Sequence, residues 1–340
     1  MEIRNLEGKM KRATLIAALA AFAATSLPIE AIAQSAQSAP KKITFLTNYV
    51  YNGRHAPFFV GLEKGFYKDA GFDIEIKPAT GSGFVITAID GGKADYGMAD
   101  TSSVVQGISK GAKVKAFMVY TDITTNGLAS LSPYPTPESV IGKKIGAGQT
   151  DSVRVILPII FDGKKLDASS INWQAADPSV YFSLLLSGQV DLFTATSDGD
   201  VPALIKVAAP QGKTVHFSAF ADWGYDIYGY VLIGSAAAVA NNPGEAKRFA
   251  EATKKAVDYA IKNSDETAQI MIKHNPIMNL DTVKTQWAGT IKSIQTPNVV
   301  KNGYGVATDD RIERSIALTK KALKLDADLK PADLYVKLDK

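Results

Sequence analysis

Ten polar and aromatic residues are spaced along the chain in a way that predicts a binding site for a small organic molecule. Asn48, Tyr49 and His55 come directly after one apolar, strand-like run, and Asp100 and Thr101 come after another. Hydrogen-bonding groups would orient such a ligand, and aromatic rings would stack on a flat one. The predicted ligand-binding residues are Asn48, Tyr49, His55, Ser82, Asp100, Thr101, Gln149, Asp151, Trp223 and Tyr225.

The sequence offers no recognisable catalytic set, metal site or cofactor site. It has three histidines, none at metal-ligand spacing, no cysteine and no G-x-S-x-G motif. The glycine-rich turns at 81–83 and 146–148 are not followed by Lys-Ser/Thr, so neither is a nucleotide phosphate loop. Asp100, Asp151 and Asp198 could pair as acid and base, but nothing in their spacing places them together. We therefore predict binding without catalysis, metal or cofactor.

Alternating strand-like and helix-like segments in two halves of the chain would bring these residues together. The Pro-rich run SPYPTP at 132–137 separates the halves. This alternation predicts parallel sheets built from βαβ units, with ligands beyond the carboxyl ends of the strands. We predict an α/β chain with two lobes, each a mostly parallel sheet flanked by helices. The predicted strands are 43–47, 72–76, 96–99, 114–120, 144–147, 171–173, 192–195 and 228–233.

A mainly helical region follows the last predicted strand and predicts that the chain returns to the first lobe. Helices are expected at 243–262, 266–274, 280–294 and 309–323. Two crossings between lobes would form a hinge, and a hinge between two α/β lobes makes a closable cleft. The predicted organisation is a signal peptide at 1–33, a discontinuous first lobe at 41–128 and 234–340, and a second lobe at 129–233.

The first 33 residues predict export. A basic patch at Lys9, Lys11 and Arg12 precedes an apolar run at 13–24, and the small-x-small pattern AIA at 31–33 follows. This order is typical of a cleaved secretory signal, so we expect a periplasmic protein. The net charge of +4 comes without a dense Lys/Arg stripe, which argues against a nucleic-acid partner.

Several runs resemble the periplasmic binding-protein family for nitrate, sulfonate, taurine and thiamine-pyrimidine precursors. They are ITFLTN at 43–48, HAPFFVGLEKGFYK at 55–68, KKIG at 143–146, SGQVD at 187–191 and YGY at 228–230. The resemblance implies a two-lobed periplasmic-binding-protein fold of type II. It also implies a monomer that binds a small-molecule ligand and delivers it to the permease and ATPase of an ABC importer in the inner membrane.

The resemblance leaves the ligand and two other functions open. Within the family, the chain is similar to the pyrimidine synthases of thiamine biosynthesis, in which a histidine at the position of His55 is consumed. Such an enzyme would carry pyridoxal phosphate on a lysine and need a metal. Here the run 223–230 lacks the family enzyme's cysteines, which favours a binding protein. We prefer an aromatic or heterocyclic ligand over nitrate, alkanesulfonate or taurine, because only Arg54 and Arg154 could face an anion. Presentation of the ligand to a sensor is a further alternative.

Overall fold

The computed structural model describes residues 39–338. The predicted signal peptide at 1–33 lies outside these residues. Within the described part of the chain, no helix combines the length and the apolar character that crossing a bilayer would require.

The first of two five-stranded sheets has the strand order β2-β1-β3-β10-β4. Strand β1 pairs in parallel with β2 and β3, whereas β10 runs antiparallel to both β3 and β4. Its strands are Lys41–Leu46 (β1), Phe72–Lys77 (β2), Tyr96–Asp100 (β3), Val114–Val119 (β4) and Tyr230–Ser235 (β10).

The second sheet repeats this plan with the strand order β7-β6-β8-β5-β9. Strand β6 pairs in parallel with β7 and β8, and β5 is antiparallel to β8 and β9. The predicted fold class, two mostly parallel sheets flanked by helices, is confirmed. The strands of the second sheet are Asn126–Ser130 (β5), Lys144–Ala147 (β6), Asn172–Ala175 (β7), Leu192–Thr196 (β8) and His216–Ala219 (β9).

The chain passes between the sheets at two places that differ slightly from the predicted boundaries. The predicted break at 128/129 falls inside β5, and the break at 233/234 falls inside β10. Because β5 belongs wholly to the second sheet and β10 wholly to the first, the crossings lie at 120–125 and 220–229. We call the parts built on the first and second sheets the first and second lobes.

Helices cover both sheets. Those before β5 are Ala56–Glu63 (α1), Phe66–Asp69 (α2), Ser82–Asp90 (α3) and Thr101–Ser109 (α4). Those between β6 and β9 are Val153–Gly163 (α5), Tyr181–Leu186 (α6) and Asp200–Ala208 (α7). Those after β10 are Ala236–Asn241 (α8), Pro243–Lys262 (α9), Ser264–His274 (α10), Leu280–Ile294 (α11), Pro297–Asn302 (α12), Asp309–Leu323 (α13) and Pro331–Leu334 (α14). Short 3₁₀ helices lie at 53–55, 137–140, 168–170, 178–180 and 209–211.

Local sequence signals explain several of these boundaries. Asn242 caps α9 by accepting a hydrogen bond from the backbone N–H of Glu245, and Pro243 occupies the first turn. Gly92 and Gly188, which follow α3 and α6, adopt the left-handed conformation with φ of +67° and +74°. A residue with a Cβ adopts this conformation at a cost, so glycine suits both helix ends.

The helical region after β10 packs on both lobes rather than on the first alone. Helices α9 and α10 pack against α1 of the first lobe. Helix α11 contacts both the 3₁₀ helix at 53–55 and α7 of the second lobe, and α13 lies against both α4 and α5. The cleft between the lobes is therefore bordered by elements from three separate parts of the chain.

Candidate functional site

A small cavity of about 20 Å³ lies between the two lobes, beyond the carboxyl ends of their central strands. Its walls combine polar side chains with one short glycine-containing turn from each lobe. The lining residues are Asn48, Tyr49, Arg54, Gly81, Ser82, Asn126, Asp151, Ser152, Val153, Thr194, Ala195, Thr196, Asp200 and Tyr230.

The first lobe positions an asparagine and a histidine after β1. His55 is fully buried, and its Nδ1 accepts a hydrogen bond from the backbone N–H of Asn52 at 3.2 Å. Its Nε2 lies 3.1 Å from Oδ1 of Asn48. Burial lowers the pKa of His55 well below its usual value, so the ring is neutral and donates from Nε2. His55 thereby orients Asn48, which lines the cavity.

Tyr49 presents a polar atom that has no partner. Among residues 39–338, its hydroxyl oxygen is buried and makes no hydrogen bond. A buried hydroxyl without a partner costs free energy, because it has given up its bonds to water. Tyr49 lines the cavity, so a polar group of a ligand could satisfy this hydroxyl.

The second lobe contributes two carboxyl groups. Asp151 accepts hydrogen bonds from the hydroxyl of Thr194 at 2.6 Å and from the backbone N–H of Val153 at 2.9 Å. Asp200 accepts from the backbone N–H and hydroxyl of Thr196 at 2.8 and 3.0 Å. Burial raises the pKa of Asp151, and it raises the pKa of Asp200 to about 6. Both groups favour a ligand that donates hydrogen bonds or carries positive charge.

The one arginine that lines the cavity is already paired. The guanidinium of Arg54 donates through Nε to Oδ2 of Asp198 at 2.9 Å and through Nη2 to Oδ1 of the same carboxylate. Both side chains are about 1% exposed, and the guanidinium lies 4.6 Å from the ring centre of Tyr230. Burial works against both charges, but Asp198 raises the pKa of Arg54 and Arg54 lowers the pKa of Asp198.

The lobes touch directly beside this cavity. The backbone N–H of Gly83 donates to the carbonyl of Thr150 at 3.0 Å, and the hydroxyls of Thr80 and Thr150 lie 3.4 Å apart. These contacts link the turn before α3 to the turn before α5, so the structure shows the cleft in a closed arrangement.

Comparison with known proteins places the chain in a family. The family model of NMT1/THI5-like proteins matches residues 52–267 of this chain. The chain belongs to the NMT1/THI5-like family. A curated relative, the 4-amino-5-hydroxymethyl-2-methylpyrimidine phosphate synthase THI13 of Saccharomyces cerevisiae, is 25% identical over 72% of this chain and 75% of its own length.

Solved structures share the fold of this NMT1/THI5-like protein. A protein of Bordetella bronchiseptica RB50 is similar with a TM-score of 0.69 at 20% identity, covering 88% of this chain and 95% of that one. The alkanesulfonate-binding protein SsuA of Xanthomonas axonopodis pv. citri, bound to MOPS, has a TM-score of 0.67 at 12% identity, covering 88% and 99%. These likenesses confirm the periplasmic-binding-protein fold.

Some of the ten predicted ligand-binding residues line the cavity between the lobes, and others lie elsewhere. Asn48, Tyr49, Ser82 and Asp151 line it. His55 lies behind Asn48, as described above. The ligand-binding roles of all ten residues remain predictions.

Asp100 and Thr101 lie at the start of α4, close to the cavity but not among its lining residues. Asp100 caps this helix by accepting from the backbone N–H groups of Ser102 and Ser103. Its Oδ2 is 3.4 Å from the side-chain amide of Asn126, which does line the cavity. The hydroxyl of Thr101 instead donates to the carbonyl of Gly229, so its polar group is used within the lobe.

Gln149, Trp223 and Tyr225 are not among the residues that line the cavity. Gln149 lines a separate groove between α3, α4 and α5. The indole of Trp223 packs on Phe220 within the apolar core of the second lobe. The hydroxyl of Tyr225 is 2.5 Å from that of Ser102, so Tyr225 joins the lobes. Both aromatic rings are held by packing that their loop-like sequence did not reveal.

Several further polar or aromatic cavity residues were absent from the predicted set, and their signals in the sequence differ. Thr194 and Thr196 lie at the carboxyl end of a predicted strand, and Arg54 is a predicted contact only for an anionic ligand. Asn126 lies on β5, a strand that was not predicted, and Tyr230 reads as ordinary core. Asp200 also lines the cavity, and its position at the start of α7 is the signal that could have found it.

Proposed function

We propose that this protein is the exported solute-binding component of an ABC importer and that its lobes close around a small nitrogen heterocycle of the pyrimidine type. The observation that carries the proposal is one cavity whose polar walls come from both lobes: Asn48 and Ser82 from the first, Asp151 and Thr196 from the second. A ligand that contacts both walls stabilises the closed arrangement over any open one.

The charge of the cavity supports the ligand class. Asp151 and Asp200 line it, and the positive charge of Arg54 is balanced by Asp198. The walls therefore favour amino groups and ring N–H donors over free oxyanions. Tyr49 and Tyr230 add flat rings on which a planar ligand could stack. The cavity of about 20 Å³ has room for about one water molecule, so the lobes must stand further apart than in this structure to hold a ring.

The proposed partners follow from the fold. Solved relatives of this fold include a ligand-binding component of an ABC-type import system. We propose that this protein, as a monomer released by cleavage after residue 33, meets a permease and its ATPase at the inner membrane.

Calorimetric titration with 4-amino-5-hydroxymethyl-2-methylpyrimidine, taurine, methanesulfonate and nitrate tests the proposal. We expect the aminopyrimidine to bind in the micromolar range or tighter, which corresponds to about 8 kcal/mol or more. Asp151→Asn should weaken binding by tenfold or more, because a charge-assisted hydrogen bond is lost. Asp222→Asn, at an exposed position, removes the same charge and should leave binding unchanged. If nitrate or taurine binds and the aminopyrimidine does not, the proposed ligand class is wrong.

The enzyme alternative draws on the curated relatives, which are named as pyrimidine phosphate synthases. Pyridoxal phosphate requires an amine to form its Schiff base, and the residues that line the cavity, all within 39–338, include no lysine. No group of three or more His, Cys, Asp or Glu in the described chain is arranged to hold a metal. These residues do not fit the cofactor. An absorbance band near that of a lysine Schiff base after addition of pyridoxal phosphate would favour the enzyme.

A further inference from the structure

The pairing of Arg54 with Asp198 joins a cavity wall of one lobe to a buried carboxylate of the other. Arg54 lies in the 3₁₀ helix at 53–55 of the first lobe, whereas Asp198 lies between β8 and α7 of the second. Two nitrogens of the guanidinium face both oxygens of the carboxylate. This is the fork arrangement with which arginine also binds sulfonate, nitrate and carboxylate groups of ligands.

Asp198 is held in this position from several sides. The hydroxyl of Thr290 on α11 donates to its Oδ2 at 2.7 Å. Gly289, one residue earlier, lies so close that a Cβ there would come within 3.1 Å of the Cβ of Asp198. The next residue, Gly199, accepts a hydrogen bond through its carbonyl from the side-chain amide of Gln286 at 2.6 Å. The carboxylate is thus a built part of the joint between α11 and the second lobe.

We infer that Asp198 determines which ligand charge the cavity accepts. Its carboxylate already pairs with the guanidinium of Arg54, so a ligand oxyanion cannot pair with it. This inference rests on the proposed role of the cavity as the ligand site. An incoming sulfonate would have to displace a carboxylate that belongs to the protein and is itself about 1% exposed. A displaced carboxylate would remain buried without its counter-ion, and that cost opposes the exchange.

Removal of the Asp198 carboxylate should reverse the preference of the cavity against oxyanions. In Asp198→Asn the guanidinium keeps its charge and its contact with the ring of Tyr230 but loses its counter-ion. A buried, unpaired cation destabilises the fold, and a small anion that reaches it restores the pairing. The variant should therefore melt at a lower temperature than the wild type and gain an anion site that the wild type lacks.

The test measures melting temperature for wild type, Asp198→Asn and the double variant Arg54→Gln/Asp198→Asn at constant ionic strength. Nitrate or methanesulfonate replaces chloride in steps. We expect Asp198→Asn to bind these anions at least tenfold more tightly than the wild type, and the double variant to show no gain. Asp226→Asn, which removes a partner of the exposed Arg314, is the matched control and should show no gain.

Each outcome decides the inference. Folding of Asp198→Asn only when nitrate or methanesulfonate is present supports it. Three results overturn the inference: the wild type binds these anions as tightly as Asp198→Asn does, Asp198→Asn gains no affinity for them, or Asp198→Asn folds at no anion concentration. A parallel titration of wild type with the aminopyrimidine tests the proposed function separately. If the wild type does not bind the aminopyrimidine but Asp198→Asn gains anion binding, the proposed heterocyclic ligand is wrong and the inference about Asp198 is retained.

Discussion

Replacement of Asp100 by asparagine should change how stability depends on pH. The carboxyl group of Asp100 is fully buried. Burial raises its pKa from 3.8 to about 7, and the nearby charge of Asp151 adds to the effect, although hydrogen bonds from Ser102 and Ser103 oppose it. Asparagine caps a helix about as well as aspartate, so Asp100→Asn keeps the start of α4 while removing the titration.

The sign and size follow from proton linkage. Between about pH 4 and pH 7 the folded protein keeps a proton on Asp100 that the unfolded chain has lost. The free energy of unfolding therefore falls as the pH rises through this window, by about 1.4 kcal/mol for each pH unit. From pH 5 to pH 8 the wild type should lose about 3 kcal/mol through Asp100 alone. Asp100→Asn should not lose this contribution.

Urea unfolding followed by tryptophan fluorescence, at pH 5, 6, 7 and 8, measures the effect. The quantity of interest is the unfolding free energy of Asp100→Asn minus that of the wild type. Titration of His55 and Asp200 is common to both proteins and cancels in this difference. The difference should grow by about 3 kcal/mol from pH 5 to pH 8, whereas Asp222→Asn should show no such trend. A difference that stays constant with pH would refute the assigned burial of Asp100.

Four further substitutions test the closed cleft and the placement of Trp223. Gly81→Ala should weaken ligand affinity at least tenfold in calorimetry, because Gly81 has φ of +149° and a Cβ there would collide with the carbonyl of Thr150; wild-type affinity would show that the lobes do not meet there. Tyr225→Phe removes the hydroxyl contact with Ser102 and should weaken affinity about fivefold, equivalent to about 1 kcal/mol. Ser102→Ala should do the same, and a double variant with the summed loss would contradict a shared bond. Trp223→Phe should lower the unfolding free energy by about 1–2 kcal/mol with affinity unchanged, and weakened binding would return Trp223 to the site.

The repeating pattern of strands and helices was enough to predict the fold, but two strands, β5 and β9, lie outside the predicted strands. β5, with the sequence NGLAS, contains no β-branched or aromatic residue, so nothing local favours an extended conformation. It is a strand because it is fully buried between β8 and β9, which supply hydrogen bonds on both sides. Tertiary context determined it, and this moved the predicted first crossing by a few residues.

The site was less accessible to sequence reasoning because side-chain direction depends on packing. Residues directly after strands, such as Asn48 and Asp151, reach the cavity since the strand ends point there. Trp223 lies in a turn from which its ring could point either way, and the apolar core of the second lobe holds it. Arg54 and Asp198 are separated by 144 positions, so no local pattern indicates that they meet.

Helix α13 rests on both lobes, on α4 of the first and α5 of the second. Lys321 on α13 donates to Asp162 on α5 at 2.9 Å, at the protein surface. The chain has no native cysteine, so thiols introduced at these two positions would be unique attachment points for a pair of dyes that quench each other on contact. Separation of α13 from α5 would relieve the quenching, so movement of the cleft would become an optical signal.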